Sequence, residues 1–413
     1  MRIRSRLADG VGGREHLSSH DRHLLGYTAV AHAFDHAVML SIPLFVPIWL
    51  TQFTIGQREI GIAVTVMAGL FGITAIPSGL LSDRLGADVL IPTFLGTTGV
   101  ALLLIQLVDG FIGLTVVLGL VGAAAGLYHP PAMSLISREA DEPSKGFAYH
   151  GLGTNLGIGL GPLLLTIGLT VVGWQTLLAL LAVPLIGFAL VFRWRGPDDY
   201  PDAAAYTAEG PLWQELRSFA QVTFGLLVVM YIAAGLYYRG VLTFLPEFLQ
   251  TVGSIPALEA AGATFEPARW VYSAILLVGA VGQIVGGNLG ERFGPEPVLL
   301  GVFLATSTAL FGLSVIGGPA VLLAGFLFGA LLFTVPPLQS TLVAKYVPEA
   351  SQGFGYGLVF AINFGVGSLG AALAGSILEG GSFGTLFGLF AVIPLVAFGA
   401  VLAIERIDGS ARE

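Results

Sequence analysis

Long stretches without Asp, Glu, Lys or Arg recur along the whole chain, and Val89 to Val108 is one of them. About 20 such residues are what a helix needs to cross the hydrocarbon of a bilayer. In lipid every backbone polar group must be paired internally, which leaves helices and closed barrels. Barrel strands alternate in character over about ten residues, whereas these runs are unbroken. The composition agrees, with 55% apolar and 11% charged residues against about 25% charged in a soluble domain. The expected fold is an all-α membrane protein.

Breaking the runs at charges and at Gly/Pro turns predicts twelve spans. The first six lie near Leu24–Leu50, Ile60–Leu81, Val89–Val108, Phe111–Ser137, Phe147–Val172 and Trp174–Phe192, and the others near Val222–Leu249, Trp270–Leu289, Pro297–Ile316, Ala320–Val343, Gly353–Leu378 and Phe383–Ile404. The expected organisation is a tail over 1–23, a six-helix bundle over 24–192, a polar linker over 193–219 with a short surface helix at Pro211–Phe219, a second bundle over 220–404, and a tail over 405–413.

Twelve spans put both ends of the chain on one side, so the basic residues can be assigned to sides. Fifteen of the eighteen fall on the side of the termini, against Arg58 and Arg269 opposite and Arg239 within a span. The positive-inside rule then predicts cytoplasmic termini for a multi-pass protein of the cell membrane. Losing one span would scatter the same charges over both sides.

The two halves superpose with a shift of about 207 residues. Gly79, Asp83, Arg84 and Gly86 fall on Gly287, Glu291, Arg292 and Gly294; Pro130-Pro131 falls on Pro336-Pro337; Gly146-Phe147-Ala148-Tyr149 falls on Gly353-Phe354-Gly355-Tyr356. Parallel six-helix repeats with a site between them are an architecture of secondary transporters. The loop Gly79-Leu80-Leu81-Ser82-Asp83-Arg84-Leu85-Gly86 and its copy Gly290-Glu291-Arg292-Phe293-Gly294 resemble the signature loop of the major facilitator superfamily. The resemblance implies that these are cytoplasmic gate loops. Ala87-Asp88 and Pro295-Glu296 stand where the family carries a further basic pair.

Four more segments resemble the fosmidomycin resistance branch of that superfamily, a group of drug exporters. They are His32-Ala33-Phe34-Asp35-His36, Tyr128-His129-Pro130, the fifth-span run from Gly151 through Asn155 to Pro162, and Asn363-Phe364-Gly365 with the small residues that follow. The branch carries Asn-Asp where this chain has Asp35-His36. Gly157-x-x-x-Gly161-Pro162 resembles part of the antiporter signature, and close packing of helices through small residues is the competing reading.

Ionisable residues inside spans are costly and are functional suspects by default. Here they are His32, Asp35, His36, His129, His150 and Arg239. On a helix His32 and His36 lie one turn apart with Asp35 beside them, facing one direction. At about 1.5 Å per residue, His32 and His129 reach the same depth, roughly 12 Å in, and Asn155 and Asn363 reach roughly 15 to 18 Å. Asp35 is a candidate proton carrier, or else a static pair with His32, His36 or Arg239. Arg239, flanked by Tyr237 and Tyr238, suits a carboxylate, phosphate or phosphonate, or else pairs structurally with Asp35 or Glu247. Each histidine has the plainer reading of a hydrogen-bonded packing residue. His16, His20 and His23 share helical spacing and belong to the tail rather than to a metal site.

The absence of cysteine excludes disulfides, thiolate metal sites and cysteine nucleophiles, and no phosphate loop or zincin motif is present. No enzyme, cofactor, metal or nucleic-acid partner is expected. The expectation is a monomeric alternating-access transporter with protons as coupling ion, exporting a small organic molecule, with anions among the candidates. Uptake of an anion by symport is the alternative, and a polytopic membrane enzyme or sensor is a distant one.

Overall fold

The computed structural model describes residues 18–195, 221–252, 258–260, 263–347 and 352–410. Among the described residues twelve helices are long and apolar enough to cross a membrane: His20–Gln52, Gln57–Gly79, Ala87–Leu107, Phe111–Glu139, Lys145–Leu169 and Trp174–Trp194 in the first half, and Val222–Thr251, Pro267–Phe293, Pro295–Val315, Ala320–Tyr346, Gly355–Gly380 and Phe383–Asp408 in the second. They are called the first to twelfth spans below. The end of the bundle that carries Ser18 and Ser410 is the terminal end, and the other is the far end. Among the described residues the one departure from an all-helical fold is an antiparallel pair, Leu258–Ala260 with Ala263–Phe265, between the seventh and eighth spans. The proposed surface helix at Pro211–Phe219 and His16 lie outside the described residues.

Helices that look continuous in the sequence are interrupted at the centre. The fourth span consists of Phe111–Ala125 and His129–Glu139, joined by tight turns in which Leu127 and Tyr128 donate to the carbonyls of Ala124 and Ala125. Pro130 and Pro131 open the second piece, at positions where a missing N–H costs nothing. The repeat-related Pro336 and Pro337 sit inside an unbroken helix instead. The eleventh span breaks between Gly365 and Leu369, and the twelfth between Phe390 and Ile393.

Small residues set the helix spacing. Gly153, Gly157 and Gly161 of the fifth span lie on Ala29, Ala33 and Ala37 of the first, where a Cβ would strike backbone or Cα atoms. This is the close packing that small residues permit between membrane helices.

The halves join through polar contacts at the far end. Gln57 donates to Glu247 (3.0 Å), Thr65 donates to the Ser368 carbonyl (2.8 Å) and accepts from the Ala372 N–H (3.1 Å), and Tyr272 donates to the Leu40 carbonyl (2.8 Å). Thr166 and Ser273 share a hydrogen bond of 2.9 Å, and Arg58 lies 3.9 Å from Glu379.

At the terminal end, Gly86 and Gly294 occupy equivalent turns with φ of 81° and 84° and ψ of 159° and 151°. That backbone region belongs to glycine, and another residue there costs about 1–3 kcal/mol. Gly294→Ala and Gly86→Ala are each expected to lose about that much stability, read as a lower melting temperature in detergent. Gly287→Ala, where a Cβ would meet nothing within 4 Å, is expected to melt with wild type.

Candidate functional site

The first, fourth and fifth spans bring their ionisable residues to one place at mid-membrane. Asp35 is 2% exposed, His32 5% and His150 6%. His129 Nε2 lies 3.4 Å from Asp35 Oδ2. His32 donates from Nδ1 to the His150 carbonyl at 2.9 Å, and its Nε2 lies 3.1 Å from His36 Nε2. The His32 ring stacks on His150 with centroids 3.8 Å apart and meets the His129 ring edge-on at 5.0 Å, so the shared depth expected for His32 and His129 is found. Tyr128, fully buried, donates to the Thr28 carbonyl at 2.6 Å and packs against His32 at 5.3 Å. The break in the fourth span presents Tyr128 and His129 to this cluster.

Two charge pairings are corrected. Asp35 is paired with His129 and not with His32, His36 or Arg239, because the helix break turns His129 onto the carboxylate. Arg239 pairs with neither Asp35 nor Glu247, whose Oε1 accepts instead from Gln57. Among the described residues no carboxylate lies within ion-pair distance of Arg239. Its guanidinium, with the residue only 8% exposed, sits 4.1 Å from the centre of the Phe364 ring and 5.6 Å from that of Tyr238. A cation over an aromatic face is attracted by the ring quadrupole, but its net charge is left unbalanced.

Between Arg239 and the histidines runs an aromatic layer. Phe364 of the eleventh span stacks on Phe71 of the second at 4.2 Å, and Phe360 lies 4.5 Å from Phe364 and 5.1 Å from His129. The layer bridges the two halves. Phe364 and Thr154, whose hydroxyl lies 2.9 Å from His32 Nδ1, fall within quoted motifs without being singled out as site residues, and Phe71 and Phe360 did not stand out in the sequence. Phenylalanine in an apolar run reads as core or lipid face, and a lone threonine is common in membrane helices.

Among the described residues neither asparagine side chain hydrogen-bonds to the cluster. Asn155 donates back to its own helix at Gly151 (3.1 Å). Asn363 packs against Gly235 of the seventh span. Both have an amide oxygen buried without a partner in the protein.

At the terminal end Arg84, Glu291 and Arg292 are exposed, Arg292 lies over Phe293 at 5.0 Å, and Gly79 packs on Pro130. Among the described residues Arg84 and Arg292 form no ion pair. The Asp83 side chain lies outside what the structure describes, and Gly290 packs against Leu338. A network the sequence reading missed lies beside the second loop. Glu296 accepts from Lys345 (2.5 Å) and Tyr346 (2.6 Å), both of which also reach Asp408 (3.2 and 3.3 Å). Its signal was the acidic residue standing in place of the expected basic one.

The family model described as Major Facilitator Superfamily matches residues 28–265 and 252–412. The chain is 22% identical over 386 residues to the fosmidomycin resistance protein of Escherichia coli (strain K12), covering 90% of each. It is 27% identical over 374 residues to the enterobactin exporter EntS of Escherichia coli O1:K1, covering 80% of each. Among solved structures it resembles a bacterial homologue of the human lysosomal transporter Spinster in an inward-facing, unoccupied conformation, with TM-score 0.75 and 17% identity over 96% of this chain and 98% of that one. It also resembles the nucleoside transporter NupG, with TM-score 0.70 and 15% identity over 94% and 99%.

Proposed function

The chain belongs to the major facilitator superfamily, a secondary transporter and not an enzyme, and from that premise we propose that it exports a small organic anion across the cell membrane in exchange for protons. The observation that carries this reading is the division of charge between the halves. Arg239 stands buried and without a carboxylate in the second half, while the buried carboxylate of the site, Asp35, is held by His129 in the first. A guanidinium in low dielectric is a strong recognition point for a carboxylate, phosphate or phosphonate. The Asp35–His129 pair is the place for the coupling proton. Export agrees with the similarity to a fosmidomycin resistance protein and to an enterobactin exporter.

In this reading the termini are cytoplasmic, which the excess of arginine at the terminal end supports, and the protein acts as a monomer. The contacts at the far end then close the outer face. The exposed Arg84 and Arg292, without an ion pair among the described residues, belong to loops that latch only in the opposite conformer, when the halves swing together at the cytoplasmic end.

The test is flux in proteoliposomes under an imposed pH gradient, with a phosphonate drug and a panel of carboxylates as probes. Wild type is expected to move at least one of them against its concentration gradient. Asp35→Asn is expected to lose uphill movement while retaining downhill exchange. Inward movement coupled to protons would replace export by anion uptake, and an Asp35→Asn protein with unchanged gradient dependence would remove Asp35 as the carrier.

A further inference from the structure

Four imidazoles and a carboxylate meeting at one point of a membrane bundle is more than one proton carrier needs. The nitrogen atoms of His32, His36 and His129 that face one another all lie within 4.8 Å. The hydrogen bonds around them fix which atoms are free to ligate. A carbonyl only accepts, so His32 carries its proton on Nδ1, toward His150 O at 2.9 Å, and its Nε2 is a lone pair. That lone pair faces His36 Nε2 at 3.1 Å, near the edge of about 3.3 Å that bonds of about 2.0–2.1 Å give in a tetrahedral zinc site. His129 brings a ring nitrogen into the same group, and its Nε2 lies 3.4 Å from Asp35 Oδ2.

Metal-bound histidines usually give their second nitrogen to a backbone carbonyl or a carboxylate, which fixes the ring. The carbonyl arrangement is present here for His32 before any metal is considered, and for His129 a carboxylate stands within ion-pair distance, 3.4 Å away. Two further polar atoms, Asp35 Oδ1 and His150 Nε2, are buried without a hydrogen-bond partner among the described residues. The His129 side chain is 16% exposed, so the cluster is reachable.

We propose that His32, His36 and His129 form a site for one divalent transition metal of the zinc and cobalt class, with Asp35 orienting His129 and the fourth position left open. Three neutral imidazoles suit such borderline cations and offer little to magnesium or calcium. The site goes beyond the transport reading and is tested without transport.

The experiment uses full-length protein in detergent, without a polyhistidine tag, stripped with chelator and titrated with Co2+ and then Zn2+. The expected result is one Co2+ per chain with the visible absorption of a four-coordinate ion, displaced by equimolar Zn2+. His36→Ala and His129→Ala are expected to lose that absorption, and Asp35→Asn to bind about 10–100-fold more weakly. A His20→Ala/His23→Ala protein, altered only on the exposed surface of the first turns of the first span, is expected to bind as wild type. Wild type without the absorption, or with one that survives His36→Ala and His129→Ala, overturns the proposal. Because the wild-type titration alone decides the first outcome, misfolding of a variant leaves the proposal falsifiable.

Discussion

Arg239→Ala is expected to lower the rate of anion transport at limiting substrate by about 10- to 150-fold while leaving any neutral compound the protein carries unaffected. The magnitude follows from the contact removed. A hydrogen bond to a charged group contributes about 1.5–3 kcal/mol, and each 1.4 kcal/mol is a factor of ten. Among the described residues no carboxylate competes for the charge of Arg239, whose guanidinium lies over the faces of Phe364 and Tyr238. Arg239→Lys keeps the charge and loses the planar fork that matches two oxygens at once, so a drop of about tenfold, chiefly as a raised KM, is expected. The measurement is flux of a phosphonate and of matched carboxylates in proteoliposomes, with gel filtration showing that each variant is folded. Lysine performing as well as arginine would reduce the contact to a point charge. Alanine performing as well would remove Arg239 from substrate binding altogether.

The features around Arg239 differ in how far the sequence reveals them. Arg239 as a buried cation was visible at once, since a guanidinium inside an apolar run such as Val222–Thr251 is costly enough to mark a site by itself. Its lack of a carboxylate was not visible, because Asp35 and Glu247 both lay within plausible reach. What decided it was the break in the fourth span, which aims His129 at Asp35. Pro130-Pro131 marked that place, yet the same dipeptide at Pro336-Pro337 sits inside a continuous helix, so the residues alone do not say which pair breaks the span. The meeting of His32, His36 and His129 followed from helical rise and spacing, which are rigid. The interlock of Phe71 with Phe364 did not, since it depends on how one half is docked on the other, and no local pattern encodes that.

The docking itself leads to the second large effect. Gly61 and Gly72 of the second span lie directly against backbone of the eleventh, and a Cβ on Gly72 would fall 2.7 Å from the Gly365 nitrogen. Replacing Gly72 by leucine places a branched side chain where two backbones touch. Overpacking of that kind costs about 1–3 kcal/mol, and the cost falls on the conformer in which the far end is closed, because that conformer alone presses these two surfaces together. A two-state protein relieves it by opening the far end, and 1–3 kcal/mol moves the ratio of the two states by about 5- to 150-fold. The chain has no cysteine, so a single Ser273→Cys reporter can be read without background. Ser273 is 1% exposed and is bonded across the halves to Thr166 at 2.9 Å. Labelling of that cysteine by a charged, membrane-impermeant maleimide added from the far side is expected to be at least about tenfold faster in Gly72→Leu than in its parent. Folded Gly72→Leu protein with unchanged labelling would mean that the second and eleventh spans stay joined throughout, and that alternating access in this chain uses a different interface.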